Sequence, residues 1–267
     1  MTTAKQNTTP GFRGAALALA LMAGAPLHAG AQVVAPELAA KEAAPGAKWG
    51  LGLGVGFDRE AYRDFDDKAS GLPLLMYENT YVSFFGTAFD VKLPSAGPVT
   101  FRLRARYAGD GYEAKDSPFL SGMSERKGGV WVGGAATWRT GVATLAAEAL
   151  TSTGDAEGKR FKLELNRGFR LGGFSVTPRI AANWYDEKYV DYYYGVRSGE
   201  ARAGRPVYHG DSTTNIEVGA RIGYALSARH QLFLDASTVK LGSTIKDSPL
   251  VDRSNKSSVK LGYLYNF

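Results

Sequence analysis

Residues 49–57 read Trp-Gly-Leu-Gly-Leu-Gly-Val-Gly-Phe, with a large apolar side chain at every odd position and glycine at every even one. A helix would lose up to about 1 kcal/mol at each such glycine relative to alanine, whereas a strand places alternate residues on opposite faces. The segment is therefore a strand with one greasy face and one bare face. The same period of two runs to the end of the chain. Val99, Phe101, Leu103, Ala105 and Tyr107 alternate with Arg102, Arg104 and Arg106. Phe161, Leu163 and Leu165 oppose Arg160, Lys162 and Glu164, and Ile216, Val218, Ala220 and Ile222 oppose Glu217, Gly219 and Arg221. The last strand presents Val259, Leu261, Tyr263, Tyr265 and Phe267.

Two all-β architectures produce such alternation: a sandwich, in which two apolar faces cover each other, and a membrane barrel, in which the apolar face meets lipid. Three features favour the barrel. Short turns (94–98, 140–141, 170–173, 227–230) alternate with longer polar loops (109–127, 187–212, 244–255). Trp49, Tyr107, Trp138, Trp184 and Tyr224 fall at strand ends, where interfacial aromatic girdles belong. Arg102, Arg104, Arg106, Arg160, Glu164, Glu217 and Arg221 share the second face, as a polar lumen requires. The expected fold is a closed antiparallel transmembrane β-barrel. Ten strands are clear: 48–58, 81–93, 99–108, 128–139, 142–153, 159–169, 174–186, 213–226, 231–243 and 256–267. If 72–77 is a further strand and 81–93 breaks near Gly86, the count becomes twelve. Bacterial barrels have even numbers, and twelve is favoured over ten.

The N-terminus narrows the compartment. Lys5 and Arg13 precede an uncharged, mostly apolar run over 14–27, followed by Ala29-Gly30-Ala31, which is the pattern of a secretory signal peptide cleaved after an A-x-A site. The run is shorter than the roughly 20 residues a spanning helix needs. The expected divisions are a signal peptide over 1–31, a flexible periplasmic lead-in over 32–47 and the barrel over 48–267, in the outer membrane of a Gram-negative bacterium. Cysteine is absent, which removes disulfides, thiolate metal sites and cysteine nucleophiles. Losing Lys5 and Arg13 lowers the formal charge from +6 to +4, a dispersed surplus that gives no basis for a nucleic-acid partner.

Apolar or aromatic residues at the final position and every second one before it (Phe267, Tyr265, Tyr263, Leu261, Val259) form a pattern similar to the signal read by the barrel assembly machinery. Several segments carry a wider resemblance: Leu72-Pro-Leu-Leu-Met-Tyr77, then Phe84-Phe85-Gly86, Asp116-Ser-Pro-Phe-Leu-Ser-Gly-Met123, Asp191-Tyr-Tyr-Tyr-Gly-Val196, Asp247-Ser-Pro-Leu-Val251 and Gly262-Tyr-Leu-Tyr-Asn-Phe267. In this order the chain resembles the MltA-interacting protein family, also called the OmpV family, of outer-membrane barrels. The resemblance implies a scaffold linking a lytic transglycosylase to a bifunctional penicillin-binding protein during murein growth. Other members are associated with osmotic adaptation, adhesion or antibiotic sensitivity. It brings no catalytic motif and no cofactor.

Catalysis finds little support in the residues themselves. A barrel hydrolase needs a serine and a histidine oriented by a third group. Among the three histidines, His28 lies in the leader and His230 in a short turn; only His209, near Asp211 and Ser212, is a candidate, and a solvated loop histidine is the plainer reading. Asp64, Asp66 and Asp67 could hold calcium weakly, and with Asp186 and Glu187 are otherwise solvated loop charges. Arg102, Arg104 and Arg106 read either as an anion-attracting wall or, more simply, as partners of Glu148, Glu164 or Glu217 that fill the interior. Tyr189, Tyr192, Tyr193 and Tyr194 suit a recognition surface or a membrane-interface belt equally well.

Overall fold

The computed structural model describes residues 46–267. The expected signal peptide over 1–31 and all but the end of the lead-in over 32–47 lie outside the described residues. Among the described residues, thirteen strands form one closed antiparallel sheet: β1 (Lys48–Arg59), β2 (Lys68–Glu78), β3 (Val82–Phe85), β4 (Ala88–Lys92), β5 (Val99–Ala108), β6 (Gly129–Arg139), β7 (Thr144–Ser152), β8 (Lys159–Asn166), β9 (Phe169–Leu171), β10 (Phe174–Tyr185), β11 (Thr213–Ala225), β12 (His230–Lys240) and β13 (Asn255–Asn266). Two short helices, α1 (Glu187–Tyr194) and α2 (Ser243–Lys246), sit in the long connections. The ring closes where β13 pairs with β1.

The thirteen strands make twelve staves, because β8 and β9 pair with β10 in one continuous register. Their interruption has a local cause. Arg167 N–H donates to the Pro178 carbonyl, but Pro178 has no N–H to return the bond, so the ladder is broken at that point. The segments 72–77 and 81–93 resolve into β2, β3 and β4, with a hairpin turn at Gly86, whose φ is +58°. This is the arrangement under which the expected count becomes twelve.

Following the register stave by stave once around returns to β1 displaced by 16 residues. With a rise of ~3.3 Å per residue and a strand spacing of ~4.8 Å, that stagger sets a tilt of about 43° and a wall-to-wall diameter of about 25 Å. Outward positions are apolar and exposed: Leu53 is 73% accessible, Val218 52% and Leu261 50%. With Trp49, Trp138, Phe174 and Tyr224 near one rim and Tyr107 and Trp184 near the other, they form an apolar band between aromatic rows.

The bare face of β1 points inward and is a matter of space. Gly52 and Gly54 pair with Leu74 and Leu72 on one side, and with Leu264 and Gly262 on the other. Leu72, Leu74, Met76, Phe85 and Leu264 pack there as a buried cluster, with Phe233 against it. Part of the inner wall is thus apolar, where simple alternation puts polar groups.

One stretch of wall is short. β3 pairs with β2 only at Met76, Tyr77 and Glu78, and the Gly86 N–H reaches the Leu75 carbonyl. Above that point β2 has a strand partner only in β1. The pairing parity turns Ala69, Gly71 and Pro73 toward the open side, and Pro73 has no N–H to leave unpaired there. Proline at an edge strand is the expected solution.

Candidate functional site

A belt of charge follows the inner wall. On β5, Arg104 donates from Nε and Nη2 to the two oxygens of Asp90 (2.7 and 2.8 Å) and from Nη1 to Glu148 (2.6 Å). Arg102 lies 3.6 Å from Asp90, and Arg106 lies 3.4 Å from Glu148. Arg160 is 5% exposed and stacks over Trp131, with Asp110 at 3.7 Å and Glu148 at 4.0 Å. Farther round, Lys162 bridges Glu164 (3.0 Å) and Glu217 (3.2 Å). Arg179 joins Glu217 (2.9 Å) to Asp235 (3.0 Å), and Arg221 also bonds Asp235 (3.0 Å).

These pairs skip a stave only where the intervening inner side chain is small. Gly133 and Ala135 lie between Arg104 and Glu148, and Ala181 lies between the Lys162 and Glu217 strands. At Gly219 a Cβ would meet the Arg179 guanidinium at 2.9 Å. The partners of Arg104 and Arg106 are on the near wall: Glu148 serves both, Asp90 serves Arg104, and neither Glu164 nor Glu217 does. Asp90, Arg179 and Asp235 are central to the belt but were not singled out in the sequence. For Arg179 and Asp235 the signal was available as inner-face positions flanking Gly219, and for Asp90 as the residue directly opposite Arg104.

The long loops do not spread into solvent. They pack over the barrel end as a second core containing Tyr62, Tyr112, Leu120, Val190, Tyr193 and Ile245, each at most 3% exposed. The tyrosines of 189–194 are therefore neither a belt nor an open recognition face. Tyr189, Tyr193 and Tyr194 are interior residues of α1, held against Trp131 and Tyr62. Asp186 caps that helix by accepting the Tyr189 N–H. The reading of 187–212 as a polar loop missed α1 because its period of two was absent and its eight residues are too few to establish a helical period.

Buried polar contacts lock this cap. Arg126 and Glu200 are 1% and 6% exposed, and Arg126 Nη2 donates to both Glu200 oxygens at 2.8 and 3.0 Å. Glu200 also accepts the Ser124 and Arg197 N–H groups, both at 3.0 Å. Burial opposes ionisation of Glu200, but the Arg126 guanidinium and the two N–H groups outweigh it and hold the carboxyl at about 2. Arg205 donates to the carbonyls of Phe119, Ser121 and Glu200. Burial pushes the Tyr62 and Tyr193 hydroxyls above their usual range. Ser248 ties the 241–254 connection to the Tyr194 carbonyl at 2.6 Å.

Beneath the cap lies a cavity of about 110 Å³ lined by residues including Asp58, Glu60, Asp110, Tyr194, Lys256 and Lys260. Ligand pockets usually start near ~300 Å³, so the space suits a few waters or a small ion. His209 is exposed, with Nδ1 at 3.1 Å from Asp191 rather than beside Asp211. His230 pairs with the Tyr263 hydroxyl at 2.6 Å. Among the described residues no group of three or more acids and histidines is placed to hold a metal.

A closed barrel with an apolar outer band, aromatic rims and paired charges inside is a transmembrane β-barrel of outer-membrane type. The chain belongs to the MltA-interacting protein MipA family, which it matches over residues 51–267. The MltA-interacting protein of Escherichia coli K12 is 26% identical over 227 residues, covering 82% of this chain and 90% of that protein. Outer membrane protein OmpV of Vibrio cholerae serotype O1 is 26% identical over 221 residues, covering 82% and 79%. Outer membrane protein Omp26La of Vibrio anguillarum is 26% identical over 186 residues, covering 69% of each. The protein resides in the Gram-negative outer membrane.

Proposed function

We propose that this barrel is a non-enzymatic docking scaffold of the outer membrane, holding a murein lytic transglycosylase together with a bifunctional penicillin-binding protein at its periplasmic side. The observation that carries this reading is the packed loop core over the extracellular mouth. A barrel stoppered by Tyr62, Leu120, Val190 and Ile245 and belted by charge pairs offers its surfaces rather than a passage. A relative bearing the name MltA-interacting protein supplies the partner class. In this reading Tyr263, Tyr265 and Phe267 address the chain to the assembly machinery, and lipid covers the apolar band.

The test is capture from detergent extracts with the short turns altered one at a time. Loss of a purified lytic transglycosylase from at least one turn variant is the expected result; equal recovery from every variant sinks the proposal.

A small-solute channel is the second reading, favoured by the charged cavity below the cap. Planar-bilayer recording separates the two. A scaffold gives no steady steps, whereas a channel gives anion-selective steps that change with Arg102→Ala, Arg104→Ala and Arg106→Ala.

A further inference from the structure

Charge is distributed unevenly between the two ends of the barrel. The start of β1 and the end of β13 meet at the short-turn rim, where the Phe267 N–H donates to the Trp49 carbonyl, and in bacterial barrels this end faces the periplasm. Over residues 48–50, 77–82, 92–99, 139–144, 166–174, 225–230 and 265–267, the side-chain charges are Lys48, Lys92, Arg139, Arg167, Arg170 and Arg229 against one acid, Glu78. That acid is already engaged: Lys92 Nζ lies 2.6 Å from its Oε1. Lys48, Arg167, Arg170 and Arg229 are exposed. None of them has a carboxylate partner among the described residues, although Arg167 also rests over the Phe169 ring. Elsewhere the buried acids of the inner wall are consumed in pairs, so the rim is where unbalanced positive charge reaches water.

Position matters as much as sign. Lys48 opens β1, Arg229 lies in the β11–β12 turn, Arg167 lies between β8 and β9, and Arg170 is the middle residue of β9. The cations thus occupy three places on the rim (Lys48, Arg229, and the Arg167–Arg170 pair on one stave), with neighbouring places two to three staves apart, or about 13–20 Å along a rim built at ~4.8 Å spacing and ~43° tilt. That exceeds the ~8 Å screening length at physiological salt, so they act as a distributed field over a broad face. Such a field suits the acidic face of a folded protein better than a single glycan strand, which needs a line of contacts.

We infer that the periplasmic rim, through Lys48, Arg167, Arg170 and Arg229, docks an acidic surface of a periplasmic protein. This rests on the scaffold reading above and adds to it the chemistry of the partner. The same field draws an acidic partner to the mouth before close contacts form, and added salt weakens it.

The test uses the full mature barrel in neutral dodecyl maltoside micelles, with a fluorescent decaglutamate peptide as probe and decalysine as control. Wild type should bind decaglutamate at 50 mM NaCl and lose at least tenfold in affinity at 300 mM. The combined variant Lys48→Gln, Arg167→Gln, Arg170→Gln, Arg229→Gln should bind at least tenfold more weakly at 50 mM, and Arg167→Lys, Arg170→Lys, Arg229→Lys should keep the wild-type affinity. All are exposed positions, and the folded state is checked by heat-dependent migration on gels. Equal binding by the glutamine variant and wild type overturns the inference, as does decalysine binding as tightly as decaglutamate. Murein sacculi that pellet wild type but not the glutamine variant, with no decaglutamate binding, also overturn it in favour of murein. If a purified lytic transglycosylase is captured equally by wild type and the glutamine variant, the scaffold stands and the rim inference fails. If decaglutamate binds through the rim while no turn variant alters transglycosylase capture, the rim inference stands and the scaffold fails.

Discussion

Gly52→Leu is expected to leave less than a tenth of the chain as folded barrel, measured as the fast-migrating species on unheated gels. A side chain at this position would run into the Tyr263 carbonyl oxygen and approach the Leu264 Cα to 3.0 Å. Both are backbone atoms of β13, the strand that closes the ring on β1, so no rotamer relieves the contact. The penalty should reach at least the ~3 kcal/mol upper end of ordinary overpacking, and it falls on the seam joining the first and last strands. Leu53→Ala, one residue along but on the lipid face, is the matched control and should fold normally. A Gly52→Leu barrel as abundant as wild type would show that the inner wall yields at that seam.

Glu200→Ala should release the extracellular cap while leaving the staves intact. Removing the carboxylate strands the Arg126 guanidinium in a buried site and frees two N–H groups, and breaking a buried pair in this way costs about 3–5 kcal/mol. The loss is confined to the loops, because the strand ladder does not pass through residue 200. Limited proteolysis of intact cells should then cut within 186–212 at least tenfold faster than in wild type, with unchanged gel migration. Acid should mimic the substitution. The Glu200 pKa is depressed in the folded cap, so its stabilisation is fully present above the ordinary carboxylate range near ~4.3. It is lost as the pH falls toward about 2. Cleavage should rise through that window in wild type but stay flat in Glu200→Ala.

The wall of this barrel was legible in the sequence because its two faces meet different solvents, so alternation is imposed on most strands, the apolar inner patch around Leu72, Leu74 and Met76 excepted. The division of 72–93 into three strands was the favoured of two counts, turning on a break near Gly86, and the positive φ there is the mark of a tight turn. The cap was not legible. Its tyrosines and leucines pack across connections far apart in the chain, as when Tyr62 donates to the Tyr193 carbonyl, and no local period announces such contacts. Three of the segments that carried the family resemblance, 116–123, 191–196 and 247–251, nonetheless help to build it. Ser117 caps Phe119 and donates to the Arg63 carbonyl, while Ser248 and Leu250 sit under α1. The inner belt was half visible. The arginines of β5 declared themselves by repetition, but their acids did not, since reaching Glu148 depends on the small side chains of β6.

The abbreviated β3–β4 hairpin gives the molecule a compass bearing. Four residues of β3 run about 13 Å along the strand and, at the ~43° tilt, climb only about 10 Å, so the outer leaflet on that flank adjoins a lower parapet than on the others, and neighbouring acyl chains adapt there by local thinning. A round barrel looks the same from every direction in the bilayer plane. This one has a front, and any neighbour that senses membrane thickness would meet it from that side.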